Sequence, residues 1–123
     1  MQQPAIDITI DHRSTVAPFE QVRVQLREAV RSGALPAGAK LPTVRGLAES
    51  LGLAANTVAR AYRELEADEL IETRGRNGSF VSPSGDATQR QAQLAATAYA
   101  ERMRQLGVSA PDAVALVEAA LGR

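Results

Sequence analysis

Between Thr43 and Leu65 the chain carries two short helical repeats of apolar residues joined by a tight turn, and this pattern constrains the fold more than any other stretch. Thr43 is suited to cap a helix that turns Val44, Leu47, Ala48 and Leu51 inward and closes at Gly52. After the short turn Leu53-Ala54-Ala55, Val58, Ala61, Tyr62 and Leu65 repeat the spacing. Two helices so joined form a helix-turn-helix, and the rest of the chain has to supply a core behind them.

An earlier helix supplies part of that core. Pro18, favoured in a first helical turn, begins it, and Gly33 ends it, with Phe19, Val22, Leu26, Ala29 and Val30 at helical spacing. A Gly- and Pro-rich connector runs from Ser32 to Pro42. Downstream, Leu70 to Arg74 and Ser79-Phe80-Val81 are extended runs flanking Gly75-Arg76-Asn77-Gly78. Asn-Gly between extended runs signals a hairpin, because both residues accept positive φ. Three helices and a hairpin make a small α+β domain, expected over residues 1–83. The turn cluster Ser82-Pro83-Ser84-Gly85-Asp86 ends it. Residues 84–123 should form a tail of two helices, roughly Gly85 to Leu106 and Ala110 to Leu121, with Ser109 and Asp112 at capping-box spacing. The predicted fold is mainly α, a three-helix unit with a β-hairpin followed by a two-helix tail.

Composition removes whole classes of chemistry. The chain has no cysteine and one histidine, His12, so thiolate zinc sites, cysteine nucleophiles and His-pair metal motifs are excluded. No nucleophile–base pair or phosphate-binding Gly-Lys-Ser/Thr loop is present, so neither an enzyme nor a cofactor or metal is expected. No apolar run approaches the ~20 residues that span a bilayer. Met1 to Asp11 is acidic and polar rather than signal-like, so the chain reads as cytoplasmic. Fourteen basic and fourteen acidic residues cancel, which argues against a uniformly basic coat but leaves room for a local basic face.

The third helix offers such a face. At roughly 100° per residue its apolar residues share one side, while Asn56, Arg60 and Arg63 project opposite, with Thr57 and Glu64 on the flank. Amides pair with adenine edges, and arginines with guanine edges or phosphates. Thr57, in the first turn, suits a phosphate contact. Lys40, Thr43, Arg45, Arg74, Arg76 and Gly78 complete the expected nucleic-acid-binding set, while acids concentrate from Glu64 to Glu72. Blander readings stand beside these. An exposed Arg/Asn face can be merely solvated, Arg45 can pair with Glu49 at i+4, Arg74 can simply point to water, and Lys40 can do either. A winged helix can also serve as a protein-interaction module.

Residues from about Pro18 to Val81 resemble the winged helix-turn-helix domain of the GntR family of bacterial transcriptional regulators. The resemblance rests on Gly33-Ala34-Leu35-Pro36-Ala37-Gly38, on Leu41-Pro42-Thr43-Val44-Arg45-Gly46-Leu47-Ala48, on Asn56 to Leu65, and on the wing from Gly75 to Val81. It implies a dimeric regulator of operator DNA. In it Arg45 contacts DNA, the start of the recognition helix (Asn56, Thr57, Arg60) enters the major groove, and the wing around Arg76 to Gly78 approaches the minor groove. Ala55 and Ala59 stand where some relatives carry basic residues, so base preference should differ from theirs.

About 40 residues follow the wing, too few for the effector-binding or aminotransferase-like domain of larger members. A two-helix tail is similar to the short YtrA-like branch of the family. Ala92, Ala96, Tyr99, Met103 and Leu106 are spaced 4-3-4-3, the pattern of a helix–helix seam, and Val114, Val117 and Leu121 share a face of the last helix. Two short helices supply little core of their own, so these residues are expected to form a homodimer interface; the alternative is packing back onto the first domain. No effector pocket is legible, though a small-molecule effector could still lodge between the tail helices and the first domain.

Overall fold

The computed structural model describes residues 7–84 and 87–122. Seven elements follow in order: α1 (Pro18–Ser32), α2 (Val44–Leu51), α3 (Ala55–Ala67), β1 (Ile71–Thr73), β2 (Ser79–Val81), α4 (Ala87–Gln105) and α5 (Ala110–Ala120). The architecture is that of a winged helix-turn-helix with two further helices. The expected start of the tail helix at Gly85, and the last two residues of the turn cluster, Gly85 and Asp86, lie outside the described residues, as do the first six residues of the N-terminal stretch.

The helix ends follow their local chemistry. Pro18 opens α1, and Gly33 closes it with a left-handed φ of 84°. The Thr43 hydroxyl oxygen caps α2 by accepting from the Gly46 amide at 3.0 Å, and Gly52 closes that helix. α3 starts at Ala55, one residue inside the expected turn, and its N-cap, Ala54, offers no side-chain acceptor. Ser109 caps α5 by accepting from the Asp112 amide.

One core lies behind the helix-turn-helix. Val22 and Leu26 of α1 meet Leu47 and Ala48 of α2 and Val58, Ala61, Tyr62 and Leu65 of α3, all buried. Leu35, Ala39 and Leu41 of the connector, with Ile71 and Val81 of the hairpin, close its underside. The Tyr62 hydroxyl donates to the Pro42 carbonyl at 2.7 Å, so α3 is pinned to the residue before the α2 cap. Ahead of α1, Gln21 and Gln25 hold the backbone at Asp11 and Thr9 through paired amide hydrogen bonds.

The hairpin departs from the two-residue turn expected of Asn77-Gly78. β1 and β2 pair antiparallel from Ile71↔Val81 to Thr73↔Ser79, and a 3-10 turn at Gly75–Asn77 fills the loop. Gly75 and Gly78 take positive φ, and Asn77 does not. A five-residue loop thus spreads the reversal over more backbone than the dipeptide signal implies. The connector pairs along the other edge of β2: the Gly38 and Leu41 amides donate to the Val81 and Ser79 carbonyls, and the Val81 amide donates to Ala39. This lane brings Lys40 opposite Phe80, a pairing across forty residues that local sequence does not encode.

The face of α4 that meets the first domain is not the one the 4-3-4-3 spacing marks. Leu94 and Thr97 lie against Gly38, and the Thr97 hydroxyl donates to the Ala37 carbonyl. On the marked seam, Tyr99 is half-buried and donates to the Ala113 carbonyl of α5 at 2.7 Å. Met103 and Val117 are half-buried, while Ala92, Ala96, Leu106, Val114 and Leu121 are exposed within the single chain. Among the described residues no helix is long and apolar enough to cross a membrane.

Candidate nucleic-acid interface

The rigid backing of α3 decides which side chains can face outward. Val58, Ala61 and Leu65 are wholly buried and Tyr62 nearly so, which turns Asn56 and Arg63 to the opposite side. Asn56 and Arg63 are exposed there, and neither takes part in an ion pair among the described residues. Thr57 is half-buried in the first turn, its amide donating to the Ala54 carbonyl. With no side-chain cap at Ala54, the Ala55 and Asn56 amides of α3 remain available to an anion.

Arg45 stands exposed in the first turn of α2, and the i+4 pairing with Glu49 is not formed. Thr43 is exposed too; its oxygen is engaged as the α2 cap, which leaves the hydroxyl hydrogen as a donor. Arg76 is exposed in the wing loop, without an ion pair among the described residues. At the wing tip Gly78 has φ 102°, a conformation L side chains rarely adopt, and a side-chain carbon there would stand 3.1 Å from Lys40 Cε. Lys40 is half-buried and also has no ion pair among the described residues.

Two arginines of the expected set are engaged within the chain. Arg60 keeps 57% of its side chain exposed, but its guanidinium lies over the Phe19 ring at 3.6 Å and its Nε reaches Glu64 Oε2 at 3.3 Å. The simple outward projection read from the helical wheel is corrected to this extent: a cation of α3 is folded across the start of α1, because an aromatic face stands within reach. Arg74 stacks on Phe80 at 4.2 Å and pairs with Glu72 at 2.7 Å, so it does not merely point to water.

Phe19 and Glu64 therefore hold Arg60 in place, where sequence reasoning treated them as core and flank. Glu64 also reaches Arg23 at 3.8 Å, and Arg23 bonds Glu20 on the same helix. The Arg23 guanidinium holds the Glu20 carboxyl below the usual carboxylate range. The signal that could have found Phe19 is its position, one residue inside α1 and beside Glu20, where an apolar ring is only half covered.

Arg45, Asn56 and Arg63 on the helices and Arg76 on the wing offer donors, while Glu66 is drawn into a bond with the Thr73 amide. Such a surface suits phosphates and base edges: guanidiniums bind the first in bidentate fashion and read the second in a major groove. Among the described residues no cluster of His, Cys, Asp or Glu could hold a metal ion.

Comparison with known proteins agrees with this geometry. The family model described as "Bacterial regulatory proteins, gntR family" matches residues 18–81. The HTH-type transcriptional regulator Rv1152 of Mycobacterium tuberculosis is 49% identical over 107 residues, covering 87% of this chain and 88% of that protein. The HTH-type transcriptional repressor YtrA of Bacillus subtilis is 36% identical, with 84% of this chain and 78% of the relative covered. Among solved structures, YtrA from Sulfolobus acidocaldarius, a GntR-family transcription factor, superposes with a TM-score of 0.60 at 31% identity, covering 78% of this chain and 99% of that one.

Proposed function

Because this chain belongs to the gntR family of bacterial regulatory proteins, we propose that it is a transcriptional repressor that binds a palindromic operator as a homodimer. Its relatives are transcriptional regulators rather than enzymes, and the Bacillus subtilis relative is named a repressor. The observation that carries the reading is the outward donor set Arg45, Asn56 and Arg63, free of ion pairs and backed by a core in which Val58, Ala61 and Leu65 are fully buried.

In this reading α3 enters a major groove with Asn56 and Arg63 facing the duplex and Thr57 and the open amides of α3 on a phosphate. Arg45 and Thr43 hold the backbone beside the groove. Arg60 adds its charge beside Glu64. The wing, through Arg74, Arg76 and the Gly78 turn with Lys40 beneath it, lies on the adjacent minor groove. Domain roles divide at about residue 83, with residues 1–83 binding DNA and residues 84–123 pairing two copies. The pairing surface is Ala92, Ala96, Tyr99, Met103 and Leu106 with Val114, Val117 and Leu121. A two-fold axis then places two recognition helices roughly 34 Å apart, one helical turn of B-DNA.

Repression follows from occupancy, since a dimer seated on a promoter excludes what must bind there. Selection of bound sequences from random DNA, followed by a gel shift, tests the whole reading. A palindrome with half-sites one turn apart is expected. Arg45→Ala combined with Arg63→Ala should weaken binding by about a hundredfold or more, since each charged contact is worth about 1.5–3 kcal/mol. Unchanged affinity of that double variant at physiological salt would remove the assignment. With about four phosphate contacts per protomer, the logarithmic salt slope should be near about −7.

A further inference from the structure

Between α4 and the wing lies a cleft of about 650 Å³ that operator binding leaves unused. This falls within the ~300–1,000 Å³ of small-molecule sites. Leu94 and Ala98 of α4 and the Phe80 ring of β2 give it apolar walls, and Lys40, Arg74, Glu101 and Arg104 border it with charge. Three of those charges are matched inside the chain. Arg74 pairs with Glu72 at 2.7 Å and stacks on the Phe80 ring. Arg104 pairs with Glu101 Oε2 at 2.9 Å, and the other Glu101 oxygen is closed to solvent. Lys40 makes no ion pair among the described residues and so leaves the cleft one positive charge in excess.

Backbone pairing fixes where that charge stands. The Leu41 amide donates to the Ser79 carbonyl and the Val81 amide to the Ala39 carbonyl, which makes Lys40 and Phe80 a directly opposed pair with no hydrogen bond between them. In such a pair the two side chains leave the same side of the sheet and lie close together. Lys40 therefore starts beside the Phe80 ring, on the side that lines the cleft. It then runs past Gly78, its Nζ 3.9 Å from where a side-chain carbon on that glycine would stand. The ammonium and the apolar wall are thus neighbours along one lane of backbone.

We propose that this cleft binds an aliphatic monocarboxylic acid, its carboxylate on Lys40 and its chain against Leu94, Ala98 and the edge of Phe80. One acidic group matches the excess charge, whereas a second would find only arginines already paired. A cation would find no carboxylate without a partner. Arg74 covers a face of the Phe80 ring, which favours a flexible chain over a stacked ring. A carboxylate that draws on Lys40 competes with a DNA phosphate for it, so the acid loosens the operator, and the operator the acid, by the same factor. Only this regulatory half rests on the operator-binding reading.

The test uses the full chain, titrated with octanoate and followed at the amide resonances of Lys40, Phe80 and Ala98. The controls are octanamide, which keeps the chain without the charge, and acetate, which keeps the charge without the chain. Octanoate should give saturable shifts, and both controls should bind more weakly by about tenfold or more, the value of one charge-assisted hydrogen bond or of a buried alkyl chain. Lys40→Met, which keeps the stem and removes the charge, should lose as much affinity as octanamide does. Ala98→Phe fills the cleft from α4 and lies outside both the proposed DNA-binding set and the pairing surface. It should lose octanoate while gel-shifting like the parent in its absence. Absence of saturable shifts, a control that binds as well as octanoate, or unaltered binding by either variant would each overturn the site. In the gel shift, octanoate should weaken operator binding several-fold for the parent and not for Ala98→Phe. Binding of octanoate with no effect on the operator overturns the coupling alone. Binding of octanoate by a chain that retains no DNA overturns the operator reading and keeps the site.

Discussion

Arg60 shows how much a single contact alters what a side chain can do. Helical geometry turns it outward, and Phe19 and Glu64 then fold it across α1. An exposed cation–π contact is worth about 0.5–1 kcal/mol, and an exposed i,i+4 ion pair about 0.3–0.5 kcal/mol. Arg60→Ala is therefore expected to lower stability by about 1 kcal/mol in urea unfolding, and Phe19→Leu to lose part of the same amount, with the double variant less than additive. A strictly additive double variant would show that the stack contributes nothing. Tyr62 is the second residue with a measurable signature. Burial pushes its phenol above the ordinary tyrosine range. The proton is held in both states below pH ~10, and above it the unfolded chain releases a proton that the core retains, so stability is present on the neutral side and falls as pH rises. Urea midpoints of a Tyr99→Phe protein should therefore drop in the alkaline range, and its remaining phenolate absorbance should appear with unfolding rather than before it. Neither Arg60's neighbour nor Tyr62's partner, Pro42, twenty positions away, is visible in a local window, whereas the burial of Val58, Ala61, Tyr62 and Leu65 is fully written in their spacing.

At the scale of elements, the helices were legible because each is set by short-range chemistry: a proline and a left-handed glycine for α1, a threonine cap and Gly52 for α2. The wing was legible in its strands and not in its loop, since a glycine at each end, Gly75 and Gly78, carries the reversal that the Asn-Gly pair implied for two adjacent residues. The docking of α4 was not legible at all. It depends on Gly38, whose φ of 82° and lack of a side chain let Leu94 and Thr97 approach; a carbon added there would stand 3.3 Å from Leu94. Gly38→Ala forces a left-handed conformation on an L residue, which costs about 1–2 kcal/mol, and also pushes α4 outward. Its melting temperature should fall, and the Thr97 hydroxyl should lose its bond to Ala37. Gly33→Ala meets nothing within 4 Å and so reports the conformational cost alone. If the two variants lose equal stability, α4 is not seated on the connector as described.

For the whole molecule, the question is what covers the outer face of the tail. α5 has no buried residue, and Leu106, Val114, Leu116 and Leu121 are each more than half exposed. Tyr99 ties α4 to α5, so the two helices present these side chains on one small unit rather than on independent helices. Burying about 600 Å² of apolar surface against a second copy would give roughly 15 kcal/mol before ordering and association costs. The seam spacing was readable from sequence, whereas its exposure was not, because the sequence could not say which face of α4 the connector would take. Val114→Asp with Leu121→Asp places two carboxylates on this face without disturbing a buried residue of the single chain. Sedimentation equilibrium should show the parent as a dimer and the double variant as a monomer, and the parent's melting temperature alone should rise with protein concentration. The variant should still hold one half-site through its intact helix-turn-helix, but its logarithmic salt slope should fall from near about −7 to about half that, because only one set of phosphates is neutralised. A variant that stays dimeric, or a monomer that keeps the full slope, would place the pairing surface elsewhere and break the link between the tail and the spacing of the operator.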